Sequence, residues 1–220
     1  MRGLYAILDV QALERRGLAP MRFAAAILTA RPAALQLRDK QRGSRAMLEL
    51  LRDLARAAER AEVPLFANDR PDLALLAGCA GVHLGQADLP PAKARTLAHM
   101  LGRRLLVGMS VHDHEELARA IDEQVDYLAM GALFSTASKE RAAPVLGLMG
   151  FEALVARARQ QSEKPIVAIG GITLESAAEV AKRCDAVAVI GALLPPAEAS
   201  DPYAWVTERA SLLHHEAGGC

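Results

Sequence analysis

Two aspartates, a strand of alternating cations and a lysine in a polar loop are the residues with which this chain could do chemistry. Gln36, Arg38 and Lys40 occupy alternate positions in Ala34-Leu35-Gln36-Leu37-Arg38-Asp39-Lys40. On a β-strand these three leave one face, while Leu35 and Leu37 leave the other. A strand that is apolar towards covering helices and cationic on its second face is built to meet an anion. Asp69 and Asp88 follow two consecutive apolar runs, in Asn68-Asp69-Arg70 and Gly85-Gln86-Ala87-Asp88. If those runs are neighbouring strands, the carboxylates converge on one cation. Hard oxygen ligands without Cys or paired His favour Mg2+, which keeps waters and shares its shell with phosphate oxygens. Either aspartate alone is better explained by helix capping, Asp69 before a helix near Pro71 and Asp88 before the next one. Together, beside a cationic strand end, they read as a metal site. With Lys139 of Ser135-Thr136-Ala137-Ser138-Lys139, the cations suit a diphosphate whose remaining charge Mg2+ offsets. The competing explanation is an internal salt bridge from Arg38 or Lys40 to Asp69.

Gly170-Gly171, followed by Thr173 and a helical pattern, presents backbone N–H groups at a helix N-terminus, which suits phosphate. A Gly-Gly pair alone is weak evidence, since turns use it constantly. Ser110 and His112 share an alternating face, yet no carboxylate is obviously placed to orient the imidazole, so Ser110 reads as a hydrogen-bonding group rather than a nucleophile. His83 reads as a hydrogen-bonded barrel-interior residue. His214 and His215 read as a solvated tail.

These residues need a scaffold that collects strand ends. Short apolar runs recur at Leu4 to Leu8, Ala34 to Leu37, Pro64 to Ala67, Gly81 to Leu84, Leu105 to Met109, Tyr127 to Met130, Ile166 to Ile169 and Ala186 to Ile190. Amphipathic helical patterns lie between them, as in Ser44 to Ala61, Pro91 to Leu101, Asp113 to Glu123, Phe151 to Gln161 and Leu174 to Lys182. Ser44 is expected to cap its helix, Asp113 with Glu116 to form a capping box, and Thr173 to cap the helix after the glycines. Roughly eight such units predict an α/β fold, a closed (β/α)8 TIM barrel in a single domain, with its active site at the C-terminal ends of the strands. The barrel is expected over about 4–193, followed by a terminal helix over about 197–216 introduced by Pro195-Pro196. The long irregular stretch from Phe134 to Gly147 is the best lid candidate.

Composition narrows the classes further. Lys and Arg number 26, as do Asp and Glu, among 220 residues. This balance speaks against a nucleic-acid partner, and no polybasic block points to a membrane surface. No apolar stretch is long enough to span a bilayer. Cys79, Cys184 and Cys220 lack metal-ligand spacing and read as reduced thiols. No signal-peptide pattern precedes Gly3-Leu4-Tyr5, so a cytoplasmic protein is expected. Its oligomeric state is left open, a homo-oligomer included.

Taken in order, the motifs resemble those of the thiamine-phosphate synthase (thiamine-phosphate pyrophosphorylase) family. Gln36-Leu37-Arg38-Asp39-Lys40 is similar to its Q-L-R-[ED]-K strand, Asn68-Asp69-Arg70 to its N-D-R, and Gly81 to Asp88 to its G-V-H-L-G-Q-x-D. Val167 to Ile172 is similar to its V-A-I-G-G-I, and the resemblance runs from Leu4 to about Leu193. It implies that 4-amino-5-hydroxymethyl-2-methylpyrimidine diphosphate is joined to 4-methyl-5-(2-hydroxyethyl)thiazole phosphate, releasing pyrophosphate. Gln36, Arg38, Lys40, Asn68, Ser110 and Lys139 would then hold the pyrimidine diphosphate, with Ser110 and Lys139 acting in catalysis and Asp69 and Asp88 binding Mg2+. Thr136, Ser138, Gly170, Gly171, Ile190 and Gly191 would receive the thiazole phosphate. Two departures stand out: Ser135 where the family's P-T-x-T-K loop has proline, with Ser138 in place of its second threonine, and Gly191 where it often has serine. Two other activities compete on the same barrel. One is a thiazole tautomerase with His112 as proton carrier; the other is a non-catalytic sensor of phosphate ligands.

Overall fold

The computed structural model describes residues 1–136 and 145–219. Eight parallel strands close into one barrel in sequence order: β1 (Gly3–Asp9), β2 (Ala34–Arg38), β3 (Leu65–Asn68), β4 (Gly81–Leu84), β5 (Leu106–Val111), β6 (Tyr127–Met130), β7 (Ile166–Ile169) and β8 (Ala186–Val189). The last pairs with the first, Leu4 opposite Val187 and Ala6 opposite Val189. Around it run α1 (Val10–Glu14), α2 (Pro20–Leu28), α3 (Ser44–Arg60), α4 (Pro71–Ala77), α5 (Pro91–Met100), α6 (His114–Asp122), α7 (Gly147–Gln161), α8 (Leu174–Ala181) and α9 (Pro202–Glu216). This is the expected TIM barrel. Among the described residues no helix is long and apolar enough to cross a membrane.

Strand alternation divides the core in two. Leu4, Ala6 and Leu8 of β1 join the large cluster between barrel and helices, together with Leu35 and Leu37 of β2. Tyr5 and Ile7 point inwards, with Ala34, Phe66, Tyr127, Ala129, Val167, Ala186 and Ala188. On the helical side α3 buries Met47, Leu51, Leu54 and Ala58, the spacing of one helix face.

Three aromatic rings fill the lower barrel. Tyr5, Phe66 and Tyr127 lie with centroids 5.6 to 5.8 Å apart. Their space is made by glycines on neighbouring strands. A Cβ at Gly108 would stand 1.9 Å from the Tyr127 ring, and one at Gly81 would stand 2.3 Å from Phe66. Nearer the strand ends the inward residues Ala129 and Ala188 are small, so the upper interior is open.

Several local expectations are corrected. Gly43, not Ser44, is the N-cap of α3, and Ser44 Oγ instead accepts a hydrogen bond from Arg70 Nη1 at 3.1 Å. Asp113 does cap α6, accepting from Glu116 N at 2.8 Å, but the Glu116 carboxylate turns away to His112 rather than closing a capping box. Thr173 caps α8 as expected, in a box with Ser176. The terminal helix begins at Pro202, because Asp201 accepts from Tyr203 N and Ala204 N and proline favours the first helical position. His214 is no solvated tail: its Nδ1 accepts from Leu4 N at 3.3 Å, beneath β1. The helices α1, α2 and α4 are short, and the eight expected units include one between β1 and β2 whose bounds the sequence pattern did not single out.

Candidate active site

A cavity of about 1370 Å3 opens at the C-terminal ends of the strands. Gln36, Arg38, Lys40, Asn68, Asp69, Asp88 and Ser110 line it, as do Thr136, Gly170, Gly171, Ile190 and Gly191. Ser138 and Lys139 lie outside the described residues, as does the middle of the expected lid. Its ends are anchored: Phe134 N donates to Gly170 O at 3.0 Å, and Leu146 N to Ala132 O at 2.8 Å.

The cationic strand is held by groups the sequence reading did not single out. Arg38 is paired with Asp9, whose other carboxylate oxygen caps α1 by accepting from Ala12 N. The turn after β2 is organised by buried Asp39, which accepts from Gln11 Nε2 at 2.8 Å and from Gln41 N and Arg42 N. Gln11 Oε1 in turn accepts from Lys40 N at 3.2 Å. These contacts fix the backbone from which Lys40 reaches over the cavity. Asp9 ends an apolar run much as Asn68-Asp69 does, and that position was the available signal for it.

Lys40 Nζ lies 3.4 Å from Asp69 Oδ2, so the competing salt bridge exists. That bridge is partly solvated, since Lys40 is half exposed, and Asp69 faces Asp88 as a second charged neighbour. Asp69 and Asp88 line the same cavity wall, and each lies within the electrostatic reach of the other. Burial, followed by the hydrogen bond and charge of Asp88, pushes the Asp69 carboxyl up to about 6, and Lys40 only partly opposes this. Neither aspartate is a helix cap: α4 is preceded by Arg70 and α5 by Pro90. Asp69 instead adopts φ 63°, a left-handed conformation that aspartate tolerates better than most residues and that tends to mark functional positions. Its N–H still donates to His83 O at 2.8 Å, continuing the β3–β4 ladder, and Asp88 Oδ2 accepts from Gly85 N at 2.7 Å.

Two carboxyls crowded at one cavity wall, with Asp69 raised by burial and by its neighbour, have an unmet demand for positive charge. Among the described residues no group of three or more His, Cys, Asp or Glu could hold a metal. The donor set therefore suits Mg2+ held by two carboxylates with its remaining positions on water and phosphate, and does not suit zinc.

Opposite this wall, the glycine pair has a packing reason of its own. Gly170 and Gly171 have φ 105° and 65°, and a Cβ on either would meet the β6–α7 segment at 2.6 Å and 2.5 Å. The two loops thus approach closely enough to form one surface beside Thr136, which also lines the cavity.

Ser110 and His112 do not act as a pair. Ser110 Oγ lies 2.9 Å from His83 Nε2, which places His83 in the hydrogen-bonded interior as expected. His112 has the carboxylate it was expected to lack. Glu116 Oε2 lies 2.7 Å from its Nδ1 and also accepts from its backbone N–H at 2.8 Å. The i to i+4 spacing across the start of α6 was the missed signal.

Comparisons with known proteins agree in direction. A family model described as thiamine monophosphate synthase matches residues 4–193. The chain is 41% identical over 214 residues to a thiamine-phosphate synthase of Koribacter versatilis, covering 96% of this chain and 95% of the other. It is 42% identical over 161 residues to the enzyme of that name from Chloroflexus aurantiacus, covering 73% and 71%. The solved structure of a thiamine phosphate pyrophosphorylase from Pyrococcus furiosus is similar with a TM-score of 0.78 at 30% identity, covering 97% and 96%. The tryptophan synthase alpha subunit of Legionella pneumophila, with a TM-score of 0.69 at 18% identity and coverage of 99% and 93%, shares the fold alone.

Proposed function

Since the chain belongs to the thiamine monophosphate synthase family and has thiamine-phosphate synthase, a transferase, as its activity, we propose that its cavity binds the pyrimidine diphosphate on the β2–β5 wall and the thiazole phosphate on the β6–β8 wall. The observation that carries this reading is the convergence of Asp69 and Asp88 beside Lys40 and Arg38. Anion-binding side chains and a cation-seeking carboxyl pair stand on one side of a single cavity, as a diphosphate with Mg2+ requires.

Asp69 and Asp88 would hold Mg2+, which when bound would supply charge neutralisation for the departing diphosphate. The protein's own groups do the rest. Arg38 and Lys40 exchange their carboxylate partners for phosphate oxygens, Gln36 and Asn68 orient the substrate, and Ser110 and Lys139 donate to the leaving group as its charge grows. The C–O bond breaks ahead of attack to leave a pyrimidinylmethyl cation, the thiazole nitrogen attacks it, and no covalent enzyme intermediate forms. Thr136, Ser138, Gly170, Gly171, Ile190 and Gly191 hold the thiazole phosphate. Closure of the Phe134 to Gly147 segment excludes competing water. The enzyme works in the cytoplasm, a reading supported by Cys79 and Cys184 standing as free thiols. The test is pyrophosphate release by the purified protein given both phosphorylated substrates and Mg2+. Release only when both substrates are present supports the reading, and none under any metal condition refutes it.

Among the described residues, the His112–Glu116 pair is the feature that would serve a tautomerase. Glu116 is already occupied in accepting two hydrogen bonds at the start of α6, which explains the pair without chemistry. Gly191 offers a further check. A Cβ there would meet nothing within 4 Å, so Gly191→Ser places a hydroxyl at the cavity wall without strain. The expected result is a thiazole phosphate KM lowered about threefold to tenfold with kcat unchanged, the worth of one added hydrogen bond that is partly shared with water. An unchanged KM would remove Gly191 from the phosphate site.

A further inference from the structure

Below the cavity a hydrogen-bonded chain crosses the barrel interior. Gln36 Nε2 lies 3.0 Å from the Tyr5 hydroxyl, which lies 2.9 Å from the Tyr127 hydroxyl. That hydroxyl lies 3.0 Å from His83 Nδ1, and His83 Nε2 lies 2.9 Å from Ser110 Oγ. Tyr5, Gln36, His83 and Tyr127 are all buried, and burial keeps both phenols protonated.

The chain has a direction. With the Gln36 amide nitrogen facing it, the Tyr5 oxygen accepts a hydrogen bond and must donate its own hydrogen to Tyr127. Tyr127 is then obliged to donate onwards to His83 Nδ1. An imidazole that accepts at Nδ1 carries its proton on Nε2 and is neutral, so His83 donates to Ser110 Oγ. The Ser110 hydroxyl proton is thereby turned to the cavity. The opposite direction would strand the Tyr5 proton in the core and would present serine lone pairs to an incoming anion.

We propose that Tyr5, Tyr127 and His83 are positioning residues that make Ser110 a one-way hydrogen-bond donor towards the diphosphate. The proposal rests on the reading above only in naming the diphosphate as what Ser110 meets. Gly108 belongs to the same device, since its missing side chain is what admits the Tyr127 ring.

The test begins with ring 15N spectra of the ligand-free protein, with His83 assigned by the signal lost in His83→Gln. The expected result is Nδ1 unprotonated and Nε2 protonated; the opposite tautomer overturns the proposal. Tyr127→Phe keeps the ring in its gap and removes the hydroxyl that donates to His83 Nδ1. It is expected to lower kcat about tenfold to a hundredfold, with the pyrimidine diphosphate KM within about twofold, since a donor to developing charge acts mainly in the transition state. His83→Gln retains an amide donor for Ser110 and is expected to keep most activity, where His83→Leu loses about a hundredfold. A folded Tyr127→Phe enzyme with wild-type kcat would overturn the catalytic part. Because the tautomer is read without ligand, a protein that makes no product yet carries Nε2–H would refute the functional reading while leaving the direction of the chain standing.

Discussion

Asp88→Asn is expected to give a protein more stable than the wild type and nearly inactive. In the ligand-free enzyme, burial and the neighbouring Asp88 carboxyl raise Asp69 from 3.8 to about 6. The native state therefore holds a proton, between those two values, that the unfolded chain has released. Stability must fall as pH rises through this window, the reverse of a salt-bridged carboxylate, and it stays reduced at neutral pH. Asparagine at position 88 removes the opposing charge, keeps an oxygen for the Gly85 N–H, and leaves the Lys40–Asp69 contact in place. The wild-type decline in melting temperature between pH 4 and 7 should become shallower, burial of Asp69 retaining the rest of it, and the variant should melt a few degrees higher at pH 7. Turnover with Mg2+ should drop about a hundredfold to a thousandfold, the usual scale for losing one electrostatic stabiliser of a leaving group. Asp69→Asn should lose as much activity with a smaller gain in stability, because it also surrenders Lys40. Thermal melts across pH, set beside rates, check both halves. A variant that is less stable at neutral pH, or that keeps its rate, would contradict the assignment.

Gly108→Ala should damage the fold more than any surface change. A Cβ there would stand 1.9 Å from the Tyr127 ring and 2.4 Å from its hydroxyl, and the ring is enclosed by Tyr5, Phe66 and His83. Neither the strand nor the ring can yield without opening the barrel floor. The expected cost is about 3 kcal/mol or more, the upper range for an added methyl group in a packed core. Chemical denaturation reads it directly. Tyr127→Ala in the same background should recover part of that loss by clearing the space, whereas simple addition of two destabilisations would show that the clash is not the cause.

The barrel was legible because eight apolar runs alternate with helical patterns, and the strand bounds agree to within one or two residues. The carboxyl pair was legible for a similar reason: closure puts consecutive strand ends side by side, so Asp69 and Asp88 needed only the right topology. Other features depend on packing that spacing does not encode. Nothing in the spacing of Leu106 to Val111 says that Gly108 is a hole for a ring donated by the next strand. The Gln36 to Ser110 chain draws one residue from each of β2, β1, β6, β4 and β5, and exists only once the strands surround a common interior. Asp9, Gln11 and Asp39 were missed because they act on the functional side chains rather than on an anion. Ser44 misled because serine before a helical run is a sound capping signal, and the helix simply starts one residue earlier.

The central claim is that two carboxylates and a cationic strand wall serve one diphosphate through Mg2+. Pyrophosphate release measured against Mg2+ concentration, at fixed amounts of both substrates, tests it most directly. The account predicts a rate that rises from near zero in excess chelator to saturation, with the pyrimidine diphosphate KM falling as Mg2+ rises and both dependences lost in Asp88→Asn. Equal turnover in chelator and in Mg2+ would contradict it.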